Sequence, residues 1–98
     1  MATLTIIYWR DIPTQVVARE GRVAQKRELP ERFIQAVDRA AMRAGLFGSD
    51  DYLSQWRRSD PQPCGPGLAA EADAAAAALE AEYDDEKLRA LVAAEGRA

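Results

Sequence analysis

The segment from Ser59 to Gly67 divides this chain of 98 residues, because its sequence SDPQPCGPG holds three prolines and two glycines. Proline cannot donate a backbone hydrogen bond and glycine loosens the backbone, so regular structure is not expected to continue through this stretch. The charge also changes there. Residues 1–58 carry ten Lys and Arg against seven Asp and Glu, whereas residues 59–98 carry three against nine. The sequence therefore predicts a domain over 1–58, a linker over 59–67 and an acidic helical arm over 68–98.

The first 28 residues have the alternation and composition of β-strands. The run from Thr3 to Arg10 is rich in β-branched and aromatic residues, and Asp11-Ile12-Pro13 interrupts it because proline restricts the residue before it. Two further runs, 14–20 and 22–28, flank Gly21, which suits a tight hairpin turn. The prediction is a three-stranded antiparallel meander over 3–28.

Two helices are predicted to cover one face of this meander. Pro30 favours the first position of a helix, and apolar residues then recur at helical spacing until Gly45, which gives a helix over 30–44. Ser49 is a good N-cap for a second, shorter helix over 50–58. The predicted fold class is α+β, with a C-terminal Ala-rich helical arm added to this core.

The arm is predicted to be helical because alanine has the highest intrinsic helix propensity, and five alanines follow one another at 74–78. Its apolar stripe changes phase near Asp84, which predicts a kink with Asp84 capping a second helix. An isolated Ala-rich helix is marginal in water. We expect the arm to fold back on its own domain in a monomer, with a helix-mediated homodimer as the alternative.

Composition excludes several chemistries. The chain has no histidine and one cysteine, so His-based acid/base catalysis, Ser-His-Asp triads, His/Cys zinc sites and internal disulfides are absent. Asp84-Asp85-Glu86 favours helix capping over a cation site, and Cys64 has no basic neighbour in sequence to activate it. We expect no cofactor, no metal, no catalytic residues and no membrane association, and a cytoplasmic location.

A rim of aromatic and charged residues is the candidate interaction site. Two aromatics, an arginine, an aspartate and a proline at one strand end offer stacking and hydrogen bonding together. The alternative is structural, with Trp9 in the core and Arg10 in an ion pair. The candidate rim consists of Tyr8, Trp9, Arg10, Asp11, Pro13, Arg22, Arg32 and Trp56.

A basic sheet face is a second candidate, for single-stranded nucleic acid. The net charge of −3 disfavours it, so nucleic-acid binding is kept as an alternative only. The residues concerned are Arg10, Arg19, Arg22, Lys26 and Arg27.

Several segments together resemble the small bacterial virulence factor domain family. The resemblance spans about residues 6–58 and leaves the C-terminal arm outside it. It is carried by the run Ile7-Tyr8-Trp9-Arg10-Asp11-Ile12-Pro13, by Gln15-Val16, Gly21-Arg22 and Leu29-Pro30-Glu31-Arg32-Phe33, by Ala36, Asp38, Ala41 and Met42, and by Tyr52-Leu53 with Trp56.

The resemblance implies an interaction module and supplies no catalytic residues. In longer members of the family the domain precedes helical repeats. Short relatives that stand alone occur beside folate and corrinoid methyl-transfer enzymes, which implies an accessory subunit as the alternative function. The expected function is a non-enzymatic protein-interaction or scaffolding module with a protein partner.

Overall fold

A computed structural model describes residues 1–98 and has an α+β fold built on one antiparallel sheet. Five strands form the sheet, in the order β3-β2-β1-β4, with β5 also paired to β1. The strands are β1 (Thr3–Trp9), β2 (Ile12–Glu20), β3 (Val23–Glu28), β4 (Trp56–Arg58) and β5 (Gln62–Pro63). The helices are α1 (Glu31–Arg43), α2 (Asp50–Ser54), α3 (Leu68–Glu82) and α4 (Asp85–Ala93).

The predicted meander is present as β1, β2 and β3. Gly21 has a φ of +61° between β2 and β3, as the predicted hairpin turn requires. The second strand begins earlier than predicted, at Ile12, because Pro13 pairs only with β1 and precedes the part of β2 that pairs with β3. The missing N–H of Pro13 therefore interrupts no ladder on the β3 side. Thr14 is the extra residue of a bulge opposite Ile7, and its hydroxyl donates to the Ile7 carbonyl at 3.0 Å.

The second predicted helix is shorter than expected. Ser49 caps α2 as predicted, with its Oγ accepting from the Tyr52 amide at 3.2 Å, but the helix ends at Ser54 rather than at residue 58. Trp56 then pairs with Trp9 as the first residue of β4. The spacing of Tyr52 and Trp56 is compatible with a helix. The free edge of β1 pairs instead with the backbone of Trp56–Arg58, so these residues form a strand.

The helices α1, α3 and α4 share one core with the sheet. Fully buried Trp9, Val16 and Phe33 belong to the same apolar cluster as Leu79 of α3 and Leu88 of α4. The arm therefore packs against the chain that carries it, α3 over β2 and β3 and α4 along α1. None of the four helices combines the length and the apolar character that a membrane span needs.

The junction of α3 and α4 has the predicted kink. Asp84 caps α4, and its Oδ1 accepts from the Lys87 amide at 2.8 Å. Arg32 of α1 reaches the other side of the junction, donating to the carbonyls of Tyr83 at 2.8 Å and Glu80 at 3.0 Å. These carbonyls lie at the end of α3, where no helical partner is available to them. One arginine thus ties α1 to the end of α3.

The linker also contributes to the sheet. Gln62 and Pro63 pair with the start of β1, and the Cys64 amide donates to the Ala2 carbonyl at 3.1 Å. Ala2 and Leu68 belong to a second small apolar cluster, against which Cys64 packs. The prolines exclude a long strand here, but a two-residue strand at the sheet edge accommodates one of them.

Candidate functional site

Two residues of the candidate rim, Trp9 and Pro13, lie in the core. Both side chains are fully buried. The Trp9 Nε1–H donates to the Tyr52 carbonyl at 2.9 Å, and the two aromatic rings lie 5.7 Å apart. Trp9 therefore joins β1 to α2 and offers no surface to a partner.

The turn of Arg10 and Asp11 is held by the last residues of the chain. Arg10 donates from Nη1 to the Glu95 carbonyl at 2.8 Å, and the Asp11 amide donates to the Gly96 carbonyl at 2.8 Å. Asp11 Oδ2 in turn accepts from the Ala98 amide at 2.7 Å. We call the contact between Arg10–Asp11 and residues 95–98 the C-terminal clasp. Its hydrogen bonds occupy many of the polar groups that the sequence offered as an interaction rim.

Arg57 of β4 completes the support of this turn. Its Nε donates to the Arg10 carbonyl at 2.8 Å, and its Nη2 lies 3.1 Å from Asp11 Oδ1. The guanidinium also lies over the Tyr8 ring, 4.5 Å from the centroid. Arg10 itself has a φ of +52°, which is costly for a residue with a Cβ, and these contacts hold it there.

Tyr8 and Tyr83 line a cleft of about 370 Å³ beside the clasp. The Lys87 ammonium lies 4.2 Å from the centroid of the Tyr83 ring. Burial raises the pKa of Tyr8 above its ordinary value, against an opposing effect of Arg57, and burial raises the pKa of Tyr83 as well. Both phenols are neutral hydrogen-bond donors at pH 7. Arg57 and Lys87 line the same cleft, together with Asp11 and Asp60. Two positively charged side chains therefore face two carboxylates.

The other three rim residues are spread over the molecule. Arg22 is exposed in the β2–β3 turn, and Arg32 binds the end of α3. Trp56 is half-buried against Tyr52, with ring centroids 6.2 Å apart. The eight residues thus do not converge on one surface. Arg19 and Lys26 are exposed, and nucleic-acid binding through that sheet face stays a prediction.

An exposed apolar surface at α2 was not predicted from the sequence. Phe47 and Leu53 are 61% and 65% exposed, and both line a shallow cleft of about 410 Å³ with Tyr52. Phe47 packs edge-on to Tyr52 at 6.3 Å. We call Phe47, Tyr52 and Leu53 the α2 surface. The available signal was the position of Phe47 between Gly45 and Gly48, in the short loop that joins α1 to α2.

A second cleft includes Trp56, whose ring packs against Tyr52 of the α2 surface. It has a volume of about 360 Å³ and lies where β2 and β3 meet the start of α1. Glu28 and Glu31 line it, together with the partly exposed Ile34, and neither carboxylate has an ion pair within the chain. This part of the surface is therefore both aromatic and negatively charged.

The single cysteine lies apart from these surfaces. Burial, with Glu71 and Glu20 adding to it, raises the pKa of the Cys64 thiol above its ordinary value. No group of three or more potential metal-ligating side chains comes together in the structure.

A family model described as "Virulence factor" matches residues 7–92, from β1 to α4. The match extends past residue 58, where the resemblance noted in the sequence ends, and includes most of the arm. No curated protein and no solved structure matches the chain.

Proposed function

The chain belongs to the virulence factor family, and we propose that it is a non-enzymatic interaction module that binds a protein partner on the α2 surface. The observation that carries the proposal is the exposure of Phe47 and Leu53, at 61% and 65%, side by side in one shallow cleft. Large apolar side chains that are exposed singly are common, but a contiguous apolar patch marks an interaction site.

Hydrogen bonds and aromatic packing support the α2 surface, which favours binding. The Trp9 indole donates a hydrogen bond to the Tyr52 carbonyl, and the Trp56 ring packs edge-on against the Tyr52 ring. The Ser49 cap fixes the first turn of α2. A preformed surface loses little conformational freedom when a partner binds, so more of the contact energy appears as affinity.

The charges around this surface define the chemistry of the partner. Asp50 and Asp51 are exposed in the first turn of α2, and Glu28 and Glu31 line the neighbouring cleft at Trp56. A partner that presents an apolar side chain flanked by Lys or Arg would match both the aromatic rings and the carboxylates. The proposed partner is therefore a protein with a basic and apolar contact segment.

The experiment compares capture from native extract by the wild-type chain and by three single variants. Phe47→Ser and Leu53→Ser change the α2 surface, whereas Val23→Ser removes an apolar residue of similar exposure, 60%, in the distant β3. We expect one protein to be captured by wild type and Val23→Ser but lost with Phe47→Ser and Leu53→Ser. With that protein purified, Phe47→Ser should weaken Kd by about thirtyfold or more, as at interface hot spots.

Two outcomes would overturn the proposal. Capture that is equal for wild type and Phe47→Ser would exclude the α2 surface as the binding site. A concentration-dependent dimer in light scattering, lost in Phe47→Ser, would show that the surface pairs with a second copy of the chain. Recovery of a methyl-transfer enzyme by the wild type and not by Phe47→Ser would identify the module as an accessory subunit of such an enzyme.

A further inference from the structure

A groove between α1 and α4 is positively charged, whereas the residues around the α2 surface are negatively charged. It measures about 230 Å³ and is lined by Arg32 and Arg39 from α1 and by Asp85 and Arg89 from α4. Val92 contributes a partly exposed apolar side chain to it, and Leu88, which is 4% exposed, lies beneath. Three guanidinium groups and one carboxylate therefore line a groove with an apolar floor.

Two of the three arginines in this groove, Arg39 and Arg89, have no acidic partner within the chain. Asp85 lies 3.6 Å from Arg32, which also binds the end of α3, so these two side chains are already partnered. Arg39 and Arg89 are exposed and make no hydrogen bond or ion pair with another residue through their side chains. The groove thus carries two uncompensated positive charges on a chain whose net charge is −3.

We propose that this groove binds an acidic peptide segment of a protein partner, with its carboxylates on Arg39 and Arg89 and an apolar side chain on Val92. Guanidinium groups bind carboxylates through paired hydrogen bonds, and the apolar floor adds contact area that only a peptide side chain can use. A free phosphate ion gains nothing from that floor. A nucleic acid long enough to extend past the two arginines would meet the rest of the molecule, whose charge is net negative, whereas a short acidic segment stays within the groove.

The groove is a separate site from the α2 surface. Two positions along an α-helix differ by about 200° of rotation, so Arg32 and Ile34 lie on opposite flanks of α1. Ile34 lines the cleft at Trp56, and Arg32 lines the groove against α4. The inference therefore goes beyond the proposed function: the chain has one face for a basic segment and another for an acidic one, as a bridging module requires.

The test uses a fluorescent peptide of alternating Glu and Leu residues as the probe, titrated with the full chain and followed by anisotropy. We expect the double variant Arg39→Glu/Arg89→Glu to weaken Kd at least about tenfold, which is about 1.4 kcal/mol. The matched control is Arg19→Glu/Arg22→Glu, which gives the same net charge and changes two exposed arginines away from the groove. Kd for the control should change less than about twofold at physiological salt, where distant charges are screened.

A second probe separates a peptide site from an anion site. In this peptide the leucines are replaced by serine, and we expect its Kd to be several times weaker because the apolar floor is no longer used. Equal loss in both double variants, equal binding of both peptides, or displacement of the Glu/Leu peptide by inorganic phosphate or single-stranded DNA would each overturn the proposal. Arg89→Gln, which removes the charge and keeps a polar side chain, should weaken binding even if the double variant unfolds. Phe47→Ser should leave this binding unchanged.

Discussion

Gly96 lies against the indole ring of Trp9 so closely that a Cβ on Gly96 would stand 2.8 Å from Trp9 Cζ3. Gly96 also has a φ of +87°, a conformation in which side chains are strained. The end of the chain thus covers the largest side chain of the core.

Gly96→Ala is therefore expected to lower the free energy of unfolding. The left-handed backbone costs about 1–2 kcal/mol, and the contact with Trp9 adds about 1–3 kcal/mol. Gly21→Ala is the control, because Gly21 also has a positive φ but has no atom within 4 Å of its Cβ position. Urea denaturation should show a larger loss for Gly96→Ala; equal losses would mean that the tail does not pack on Trp9.

Arg10→Ala should destabilise the fold, because Arg10 donates to Gln55 and to the Glu95 carbonyl. We expect a loss of about 1–3 kcal/mol in thermal or urea unfolding, from two partly exposed hydrogen bonds of a charged donor. Arg10→Gly loses the same bonds but removes the strain at φ +52°. It should be more stable than Arg10→Ala by up to about 1 kcal/mol, because the relief of backbone strain exceeds the cost of the larger conformational entropy of glycine in the unfolded chain. If Arg10→Ala were as stable as the wild type, Arg10 would have no structural role and would again be a candidate interaction residue.

Arg32→Gln is expected to cost about 1–2 kcal/mol of unfolding free energy. The substitution shortens the reach to the carbonyls of Glu80 and Tyr83, which then lose their charged donor at the end of α3. Arg22→Gln is the matched control, since Arg22 is exposed and has no partner in the chain. Hydrogen exchange should also speed up in the last turn of α3 for Arg32→Gln alone; similar behaviour of both variants would contradict the role of Arg32.

Stability should fall as the pH rises above about 10. The folded chain raises the pKa of Tyr8 and of Tyr83, chiefly by burial, so it disfavours their charged forms relative to the unfolded chain. This contribution is fully present below the ordinary tyrosine pKa of 10.0 and is lost as the pH rises through the raised value. Tyr8→Phe/Tyr83→Phe keeps both rings and should flatten the decline of the unfolding free energy above about pH 10, measured by urea denaturation. A decline of unchanged slope would assign it to other groups.

The sequence predicted the parts of the fold that local signals determine. Alternation defined the meander, Pro30 and Gly45 bounded the first helix, and Ser49 and Asp84 were found as caps. Each of these signals acts within a few residues along the chain. The match between local preference and final structure is closest in these elements.

The parts that were missed depend on distant partners. Trp56 and Arg57 have no local strand signal, and they join the sheet because β1 has an unpaired edge. Arg10 and Asp11 lay in an unusual motif, but nothing near them in sequence indicates that residues 95–98 would bind them. Phe47 has no local signal for its exposure, since it is a single aromatic residue in the short loop between Gly45 and Gly48.

The C-terminal clasp has a consequence for synthesis on the ribosome. Its hydrogen bonds join residues 85 and 87 positions apart in sequence, and loops of that length close late in folding. A nascent chain can form the meander early, but its Trp9 indole lacks the cover of Gly96 until residue 96 has been synthesised. During translation the uncovered part of this tryptophan is apolar surface of the kind that chaperones bind. That surface is buried only when residues 95–98 form the C-terminal clasp.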